Sequence, residues 1–175
     1  NVENAVAAIA VARHLGISDD KIKQGLATYS GVKRRFDYQV KNDTVIYIDD
    51  YAHHPEELRA CIASARELYP GKRILGIFQP HLFTRTRDFV DGFANSLSML
   101  DDLMLLEIYP AREKPIEGVN SKLILDKVTL QNKKLTSMAE FPEVLKNHSF
   151  DVLLTLGAGD IDQLVGPIRE YFLHS

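Results

Sequence analysis

The fold of this 175-residue chain is decided by residues 73–108, which begin with RILGIFQ (73–79) and end with DLMLLEI (102–108). The last stretch is a continuous apolar run, as expected for a strand that is buried on both faces. Between the two stretches, Phe89 and Phe93 lie at helical spacing. A strand, a helix and a second strand in this order predict a right-handed crossover between parallel strands of one sheet.

The alternation of strands and helices continues on both sides of that unit. Upstream, Phe36, Tyr38 and Val40 alternate with polar residues, KND forms a turn and residues 45–48 give a second strand, which together predict a hairpin. Further helices are predicted over residues 55–69, 121–131, 141–147 and 160–173, and further strands over 134–138 and 150–157. The sequence therefore predicts an α/β fold, a Rossmann-like, doubly wound, mostly parallel sheet with an antiparallel N-terminal hairpin.

Two predicted helices precede this sheet. The first carries Val2, Val6 and Ile9 at helical spacing, and the second follows after a glycine. The periodicity then breaks, so we expect residues 1–30 to be a separate helical segment and residues 31–175 to be the main domain. The chain begins on a helical pattern with no initiator methionine, which indicates a fragment.

The composition is that of a globular protein, with 45% hydrophobic and 26% charged residues. The formal net charge of −3 gives no general attraction to nucleic acid or to an anionic membrane, so any phosphate binding must come from local groups. No stretch approaches the roughly 20 apolar residues of a membrane span. The one cysteine, Cys61, lies in an apolar helical pattern, which indicates a small buried side chain and favours a reducing compartment.

Polar chemistry is concentrated in four segments that each follow a predicted strand. They are DDYAHHP (49–55), QPHLFTRTR (79–87), YPAREKP (109–115) and GAGD (157–160). In open parallel sheets, ligands bind outside the carboxyl ends of the strands. We therefore expect all four segments to lie at one ligand-binding edge.

The first segment joins two carboxylates, two imidazoles and a helix that starts at Pro55. A helix N-terminus presents free N–H groups and a partial positive charge, which suits a phosphate or a carboxylate. Asp50 is expected to accept hydrogen bonds from ribose hydroxyls, and His53 to donate to a phosphate or carboxylate oxygen. Two other interpretations stay open, a metal site and a simple aspartate N-cap with exposed histidines. The metal site is disfavoured, because neighbouring side chains rarely converge on one ion without a distant third ligand.

The second segment carries two arginines with different expected roles. Arginine pairs bidentately with carboxylates and phosphates, so Arg85, with His81 near it, is a candidate anion-binding residue. Arg87 lies four residues before Asp91 and is predicted to pair with it on a helix surface. The fourth segment lacks the Lys-Ser/Thr pair of a phosphate-binding loop. It is predicted to let the backbone turn closely, with Asp160 capping the last helix.

Five motifs, in order, resemble signatures of the Mur ligase family, and within it of the ligases that add alanine. They are GVKRRFD (31–37), DDYAHHPEEL (49–58), FQPHLFTRTRDF (78–89), IYPAREKPIEGV (108–119) and LLTLGAGDI (153–161). The opening NVENAVAAIAVA resembles the end of the family's central ATPase domain. The resemblance covers nearly the whole chain and implies that residues 31–175 are the C-terminal, amino-acid-binding domain, preceded by two helices from the end of that ATPase domain.

The resemblance also implies a cytoplasmic enzyme of peptidoglycan synthesis that joins L-alanine to UDP-N-acetylmuramate. ATP phosphorylates the sugar-linked carboxylate, the amine of L-alanine attacks the acyl phosphate, and Mg²⁺ neutralises the phosphate groups. The resemblance implies that ATP, Mg²⁺ and the UDP group are held mainly by the N-terminal and central domains, of which only the end of the central domain has a counterpart in these 175 residues. The chain is therefore expected to need those domains as partners and to be inactive alone.

Five residues resemble the family's nucleotide-binding residues. Asn1 and Asn4 resemble the asparagines that meet the adenine. Arg35 resembles the arginine that reaches the nucleotide at the domain junction. Asp50 resembles the aspartate that holds the ribose, and the resemblance places Tyr51 beside the nucleotide.

Three residues resemble the family's catalytic and acceptor-binding residues. The resemblance places His53 beside the reacting phosphate, and it makes His81 and Arg85 face the acceptor amino acid. Arg85 is expected to clamp the carboxylate of alanine, so the two residues expected to be catalytic are His53 and Arg85. No metal ligand is assigned to this chain.

Two alternatives stay open on the sequence. A recycling ligase that attaches a whole tripeptide to the same sugar nucleotide shares the KRRF and DD-aromatic-AHHP signatures, but QPH followed by TRTR at residues 79–87 favours the alanine-adding ligases. A non-catalytic Rossmann-like binding module is expected to bury Val2, Val6 and Ile9 within its own domain.

Overall fold

The computed structural model describes residues 2–29 and 31–174. The chain divides into two compact units, Asn1–Val32 and Lys33–Ser175. Within the described ranges, no helix is both long enough and apolar enough to cross a membrane. The adenine contact predicted for Asn1 lies outside the described residues.

The first unit is a pair of helices. They are α1 (Val2–His14) and α2 (Asp19–Ala27). An exposed ion pair between Arg13 and Asp19, with Nε and Oδ1 2.9 Å apart, links the two helices. Neither helix has a buried residue, and Val2 and Val6 are 79% and 59% exposed. The apolar stripe of α1 is therefore not used to build a core, in contrast to what a self-contained binding module requires.

The second unit is an α/β domain built on one six-stranded sheet. Its strands are β1 (Asp37–Lys41), β2 (Ile46–Asp50), β3 (Ile74–Phe78), β4 (Asp102–Leu105), β5 (Asn132–Leu135) and β6 (Val152–Leu156). Its helices are α3 (Pro55–Leu68), α4 (Phe83–Asp88), α5 (Val90–Leu97), α6 (Lys122–Lys127), α7 (Phe141–Asn147) and α8 (Val165–His174). The sheet order is β1-β2-β6-β3-β4-β5, with β1 antiparallel to β2 and all other neighbours parallel. The predicted doubly wound architecture is confirmed.

Apolar cores cover both faces of this sheet. On one face, Ile62 of α3 and Phe93 of α5 are fully buried against the strands. On the other, Phe141 of α7 and Ile168 of α8 are buried. Each such side chain stabilises the fold by about 1.5–3 kcal/mol relative to exposure. All five residues of β6 are buried, which explains why this strand reads as a continuous apolar run.

The predicted N-terminal hairpin is confirmed, but the pairing of its two strands is irregular. The pairing of β1 with β2 shifts between Tyr38 and Val40, so the strand contains a bulge. As a result, Val40 is buried in one core, whereas Tyr38 is 41% exposed and Phe36, which precedes the strand, packs against the other core. The prediction of strict alternation from Phe36 to Val40 was wrong, because the bulge changes the face to which the strand's side chains point.

Two helical predictions also need correction. The helix predicted across Phe89 is two helices, because Phe89 leaves the helical conformation between α4 and α5 and is 42% exposed. The helix predicted over residues 121–131 ends at Lys127, since Val128 is extended with a ψ of 134°. β5 then starts at Asn132, two residues before its predicted start.

The parallel strands place their carboxyl ends at one edge, and the chain order reverses there at β6. The chain runs outward through β2, β3, β4 and β5, then returns to insert β6 between β2 and β3. Ligands of open α/β sheets bind at such a reversal point. The fold therefore puts the expected site around the end of β6.

Candidate functional site

Two of the predicted segments meet the glycine-rich turn at the end of β6. The backbone amide of Gly157 donates to the Asp50 carbonyl (3.2 Å), and the amide of Gln79 donates to the Leu156 carbonyl (3.0 Å). Gly157 has a φ of 142°, and a Cβ atom there would lie 2.8 Å from the Gln79 carbonyl oxygen. Only glycine allows this close approach, so the prediction of a tight backbone turn in GAGD is confirmed.

Asp50 ends β2 with a carboxylate that the backbone holds in place. One oxygen accepts a hydrogen bond from the Phe36 amide (2.7 Å), and the other accepts one from the Ala52 amide (2.8 Å). Burial raises the pKa of the Asp50 carboxyl above its usual range, against the lowering effect of these amides and of the Arg35 charge. Each oxygen keeps a further acceptor position, which suits the ribose hydroxyls that the sequence predicts for it.

Arg34 is the residue whose role the sequence analysis missed. Its Nε donates to the fully buried Asp49 (3.1 Å), and its Nη2 donates to the Gly157 carbonyl (2.7 Å). Its guanidinium lies 5.0 Å from the centre of the Tyr51 ring, and its carbonyl accepts from the Tyr51 amide. Thr155 donates to the other oxygen of Asp49 (2.7 Å). Arg34 therefore ties the ends of β2 and β6 to the loop that carries Tyr51.

A signal for Arg34 was present in the sequence. Asp49 directly follows the apolar run of residues 45–48 in the same strand, and a buried carboxylate needs a charged or hydrogen-bonding partner. The only nearby basic run is at residues 33–35, of which the family resemblance emphasised Arg35. The structure shows that Arg35 is exposed and that Arg34 reaches inward.

The two histidines at the start of α3 have different roles. His54 is the N-cap, with its ring accepting from the Glu56 amide (3.4 Å). Glu57 completes the capping box by accepting from the backbone amides of His53 (2.9 Å) and His54 (3.1 Å). His53 stays 24% exposed, with its Nδ1 3.0 Å from the Tyr51 carbonyl. Its Nδ1 also lies 3.3 Å from Oε2 of Glu57, so the capping box and the Tyr51 carbonyl orient the ring. Because the N-cap is His54, the aspartate N-cap interpretation was wrong.

His81 and Arg85 meet each other and lie beside His53. The Nη1 atom of Arg85 is 3.3 Å from Nδ1 of His81, and the ring centres of His53 and His81 are 6.1 Å apart. Burial lowers the pKa of His81, with further lowering by the charges of Arg85 and His53. A neutral His81 accepts a hydrogen bond from Arg85 at Nδ1, so its own proton is on Nε2, where it can donate to a ligand.

The ion pair predicted between Arg87 and Asp91 does not form. Arg87 pairs instead with its neighbour Asp88 (Nε to Oδ1, 2.7 Å), and Asp91 pairs with Lys127 (2.6 Å). The reason is the break at Phe89, which removes the helical i,i+4 geometry that the prediction needed. Arg87 is exposed and is not part of the cluster formed by His53, His81 and Arg85.

Asp160 does not cap the last helix either. A 3-10 turn, Asp160–Leu164, precedes α8, and its N-cap residue is Gly159. The Asp160 carboxylate accepts a hydrogen bond from Nε2 of Gln79 (2.6 Å), while Oε1 of Gln79 accepts from the Ile161 amide (3.0 Å). Gln79 thereby accepts a hydrogen bond at the start of the 3-10 turn, a role comparable to the cap that Asp160 was expected to give the last helix.

The loop that follows β4 lies beside His81 at the carboxyl ends of the strands. The Tyr109 ring stacks on His81 with centres 5.7 Å apart, and residues 81 and 109 form a parallel bridge. Further along the loop, Glu113 accepts hydrogen bonds from Thr84 at the start of α4. This segment was expected at the edge, but no role was predicted for Tyr109 or Glu113.

The remaining predicted nucleotide contacts are exposed. Asn4 and Arg35 are exposed, and Tyr51 is 43% exposed. Among residues 2–29 and 31–174, no group of three or more His, Cys, Asp or Glu side chains is arranged to hold a metal ion. Cys61 is buried, and burial raises the pKa of its thiol, as expected for a core residue.

The sheet, the glycine turn and this cluster define a known class of domain. Residues 34–159 match the family described as Mur ligase, glutamate ligase domain. The chain therefore belongs to the Mur ligase family, as the resemblance implied.

Individual relatives give a narrower comparison than the family does. The chain is 54% identical over 170 residues to UDP-N-acetylmuramate–L-alanine ligase of Parabacteroides distasonis, which covers 97% of this chain and 37% of the relative. The enzyme of the same name from Porphyromonas gingivalis is 53% identical over 172 residues, covering 98% of this chain and 38% of the relative. The chain thus spans little more than a third of the length of these curated relatives.

Solved structures agree on the fold. The crystal structure of UDP-N-acetylmuramate–alanine ligase from Thermotoga maritima matches with a TM-score of 0.78 and 30% identity, over 99% of this chain and 37% of that one. A murein peptide ligase from Psychrobacter arcticus matches with a TM-score of 0.65 and 20% identity, over 96% of this chain and 36% of that one. The second likeness shows the fold alone.

Proposed function

We propose that this chain is the C-terminal, amino-acid-receiving part of an ATP-dependent ligase that adds L-alanine to UDP-N-acetylmuramate, by way of an acyl phosphate. The observation that carries the proposal is the meeting of His53, His81 and Arg85 at the reversal point of the sheet. The curated relatives, at about half identity, bear the name of that enzyme.

The acceptor side of the proposed site is an anion-binding pair. Arg85 presents a guanidinium that is fixed on one side by His81, so its other donors are available to the carboxylate of L-alanine. His81 donates from Nε2 to the same acceptor. His53 donates to an oxygen of the phosphoryl group that leaves when the alanine amine attacks. These residues act by positioning and by stabilising charge.

The nucleotide side of the proposed site is incomplete in this chain. Asp50 holds the ribose, Tyr51 lies beside the nucleotide, and Arg35, Asn4 and Asn1 meet the nucleotide at the domain junction. We assign the Mg²⁺ that neutralises the phosphates to other domains of the complete enzyme. In this proposal the enzyme works in the cytoplasm, where its sugar-nucleotide substrate is made.

We further propose that residues 1–30 are the helical end of the central ATP-binding domain and that residues 31–175 are the C-terminal domain. The exposed apolar residues Val2 and Val6 support this division, because they are a face that a neighbouring domain would cover. So does the covered share of the relatives, which leaves room for two more domains. The same reasoning predicts that this chain alone releases no phosphate from ATP.

The test is phosphate release by the full-length protein, given MgATP, UDP-N-acetylmuramate and an acceptor. With L-alanine as the acceptor, we expect release that depends on the amino acid. Release only with the tripeptide L-Ala-D-Glu-diaminopimelate would instead assign the chain to a recycling ligase. No release with either acceptor would refute the proposed ligase activity.

A further inference from the structure

Glu113 makes its hydrogen bonds at the start of helix α4, one residue before Arg85. Its Oε2 accepts a hydrogen bond from the Thr84 amide (3.0 Å), and its Oε1 accepts one from the Thr84 hydroxyl (2.5 Å). These bonds lower the pKa of the Glu113 carboxyl, so it is ionised at neutral pH. Both oxygens of one carboxylate are thus used on the residue that directly precedes Arg85.

Helix α4 needs such an anchor. It has six residues, and its N-cap, Leu82, gives no side-chain cap and has a φ of 74°. A helix this short is not stable by its own backbone hydrogen bonds. A leucine with positive φ is also unfavourable, so the entry into the helix must be fixed by its surroundings. The carboxylate of Glu113 supplies the missing cap from outside the helix.

The same loop also fixes the histidine of the cluster. The Tyr109 carbonyl accepts from the Leu82 amide (3.0 Å), and the Tyr109 amide donates to the Pro80 carbonyl (2.8 Å). Its ring stacks on His81 at an interplanar angle of 23°. The loop therefore grips the backbone on both sides of His81 and again at Thr84, which leaves Arg85 little freedom in direction.

We propose that Glu113 is a positioning residue for the acceptor amino acid, since it fixes the first turn of α4 and so the direction in which Arg85 presents its guanidinium. The inference rests on the proposed function, in which Arg85 binds the carboxylate of the acceptor. Glu113 itself contacts no substrate. Its loss therefore weakens acceptor binding and leaves nucleotide binding unchanged.

The experiment compares Glu113→Ala with Glu117→Ala in the full-length protein. Glu117 is an exposed acid of the same loop, so the control makes the same change in charge. We expect Glu113→Ala to raise the KM for L-alanine by about tenfold or more, with the KM for MgATP within about twofold of the wild type. Glu113→Gln should recover most of the loss, because its amide oxygen still accepts from the Thr84 amide.

A KM for L-alanine that is the same in both alanine variants would overturn the inference. In Glu113→Ala, an equal rise in the KM for L-alanine and the KM for MgATP, together with a lower melting temperature, would also overturn the inference. That result would reveal a general structural role for Glu113. Hydrogen exchange of the peptide covering residues 82–88 tests the anchor without any activity. Faster exchange in Glu113→Ala than in Glu117→Ala supports the anchor, and equal exchange contradicts it, even if the wild type shows no alanine-dependent release and the proposed function fails.

Discussion

Asp49 and Arg34 show how one buried charge organises the end of a strand. Asp49 has no exposed surface, and burial raises the pKa of its carboxyl in spite of the bonds from Thr155 and Arg34. A carboxylate in this position is tolerated only with its partners present. The ion pair therefore fastens the end of β2 to the turn after β6, since Arg34 bonds both Asp49 and the Gly157 carbonyl. This connection lies next to the residues proposed to meet the nucleotide.

Replacing Arg34 by Ala should lower the free energy of unfolding of this chain by about 3 kcal/mol, because it leaves Asp49 buried without a counter-charge. Urea denaturation measures the loss, with Arg35→Ala as the control, since Arg35 is exposed. The loss should also depend on pH. Without Arg34, the folded-state pKa of Asp49 rises further above its unfolded value, so stability is lost as pH rises through that folded-state pKa. An equal loss of unfolding free energy in Arg34→Ala and Arg35→Ala would refute the stabilising role of the Arg34–Asp49 pair.

His81 should titrate below its ordinary pKa of 6.5, because it is partly buried beside the charge of Arg85. Between the lowered folded-state pKa and 6.5, the unfolded chain binds more protons, so His81 makes stability rise with pH in this window. Replacing Arg85 by Ala should move the pKa of His81 back upward, whereas Arg87→Ala should not. Imidazole NMR titration of the chain measures both. A His81 pKa that does not respond to Arg85 would contradict the contact between them.

At the scale of elements, the strands were predicted better than the helices. Strands β3, β4 and β6 are buried on both faces, so hydrophobic runs marked them directly. The break at Phe89 gave no such mark, because a large apolar residue at helical spacing is equally consistent with one continuous helix. The bulge in β1 was also invisible, since it depends on how the strand pairs with β2 rather than on its own residues.

The candidate site was predictable to a similar degree. The rule that ligands bind at carboxyl ends located all four segments, and the residue types at Arg85, His81 and Asp50 indicated anion and hydroxyl binding. The role of Glu113 could not be predicted, because it acts on Thr84, which is far away in sequence. For Arg34, the buried Asp49 indicated that a partner was needed, but local patterns did not show which basic residue reaches it. Tertiary contacts of this kind leave little trace in local patterns.

The turn after β6 gives a prediction at this scale. Gly157→Ala should destabilise the chain by about 2 kcal/mol, because φ at this position is 142° and the new Cβ would press on the Gln79 backbone. Gly166→Ala is the matched control, since it lies in α8 with nothing within 4 Å, and it should stabilise by about 0.5 kcal/mol. Thermal unfolding of both variants checks the difference. Equal effects would mean that the turn tolerates a side chain.

At the scale of the whole molecule, the chain combines a complete sheet domain with a helical pair that has no core of its own. The domain brings His53, His81 and Arg85 together at the carboxyl ends of its strands, where we propose that they receive the amino acid. The proposed enzyme completes this edge with nucleotide-binding domains, so that closure brings the acyl phosphate to the alanine amine. Under the proposed division, the chain holds only part of the composite site, which is why we expect it to be inactive alone.

The most direct test of this account is the KM for L-alanine of the full-length protein with Arg85→Ala, compared with Arg87→Ala. Both changes remove one arginine from the same short helix, but only Arg85 contacts His81 at the sheet edge. The account predicts that Arg85→Ala raises this KM by about thirtyfold or more and that Arg87→Ala changes it by less than about twofold. Equal values for the two variants would contradict the assignment of the strand-end cluster to the acceptor amino acid.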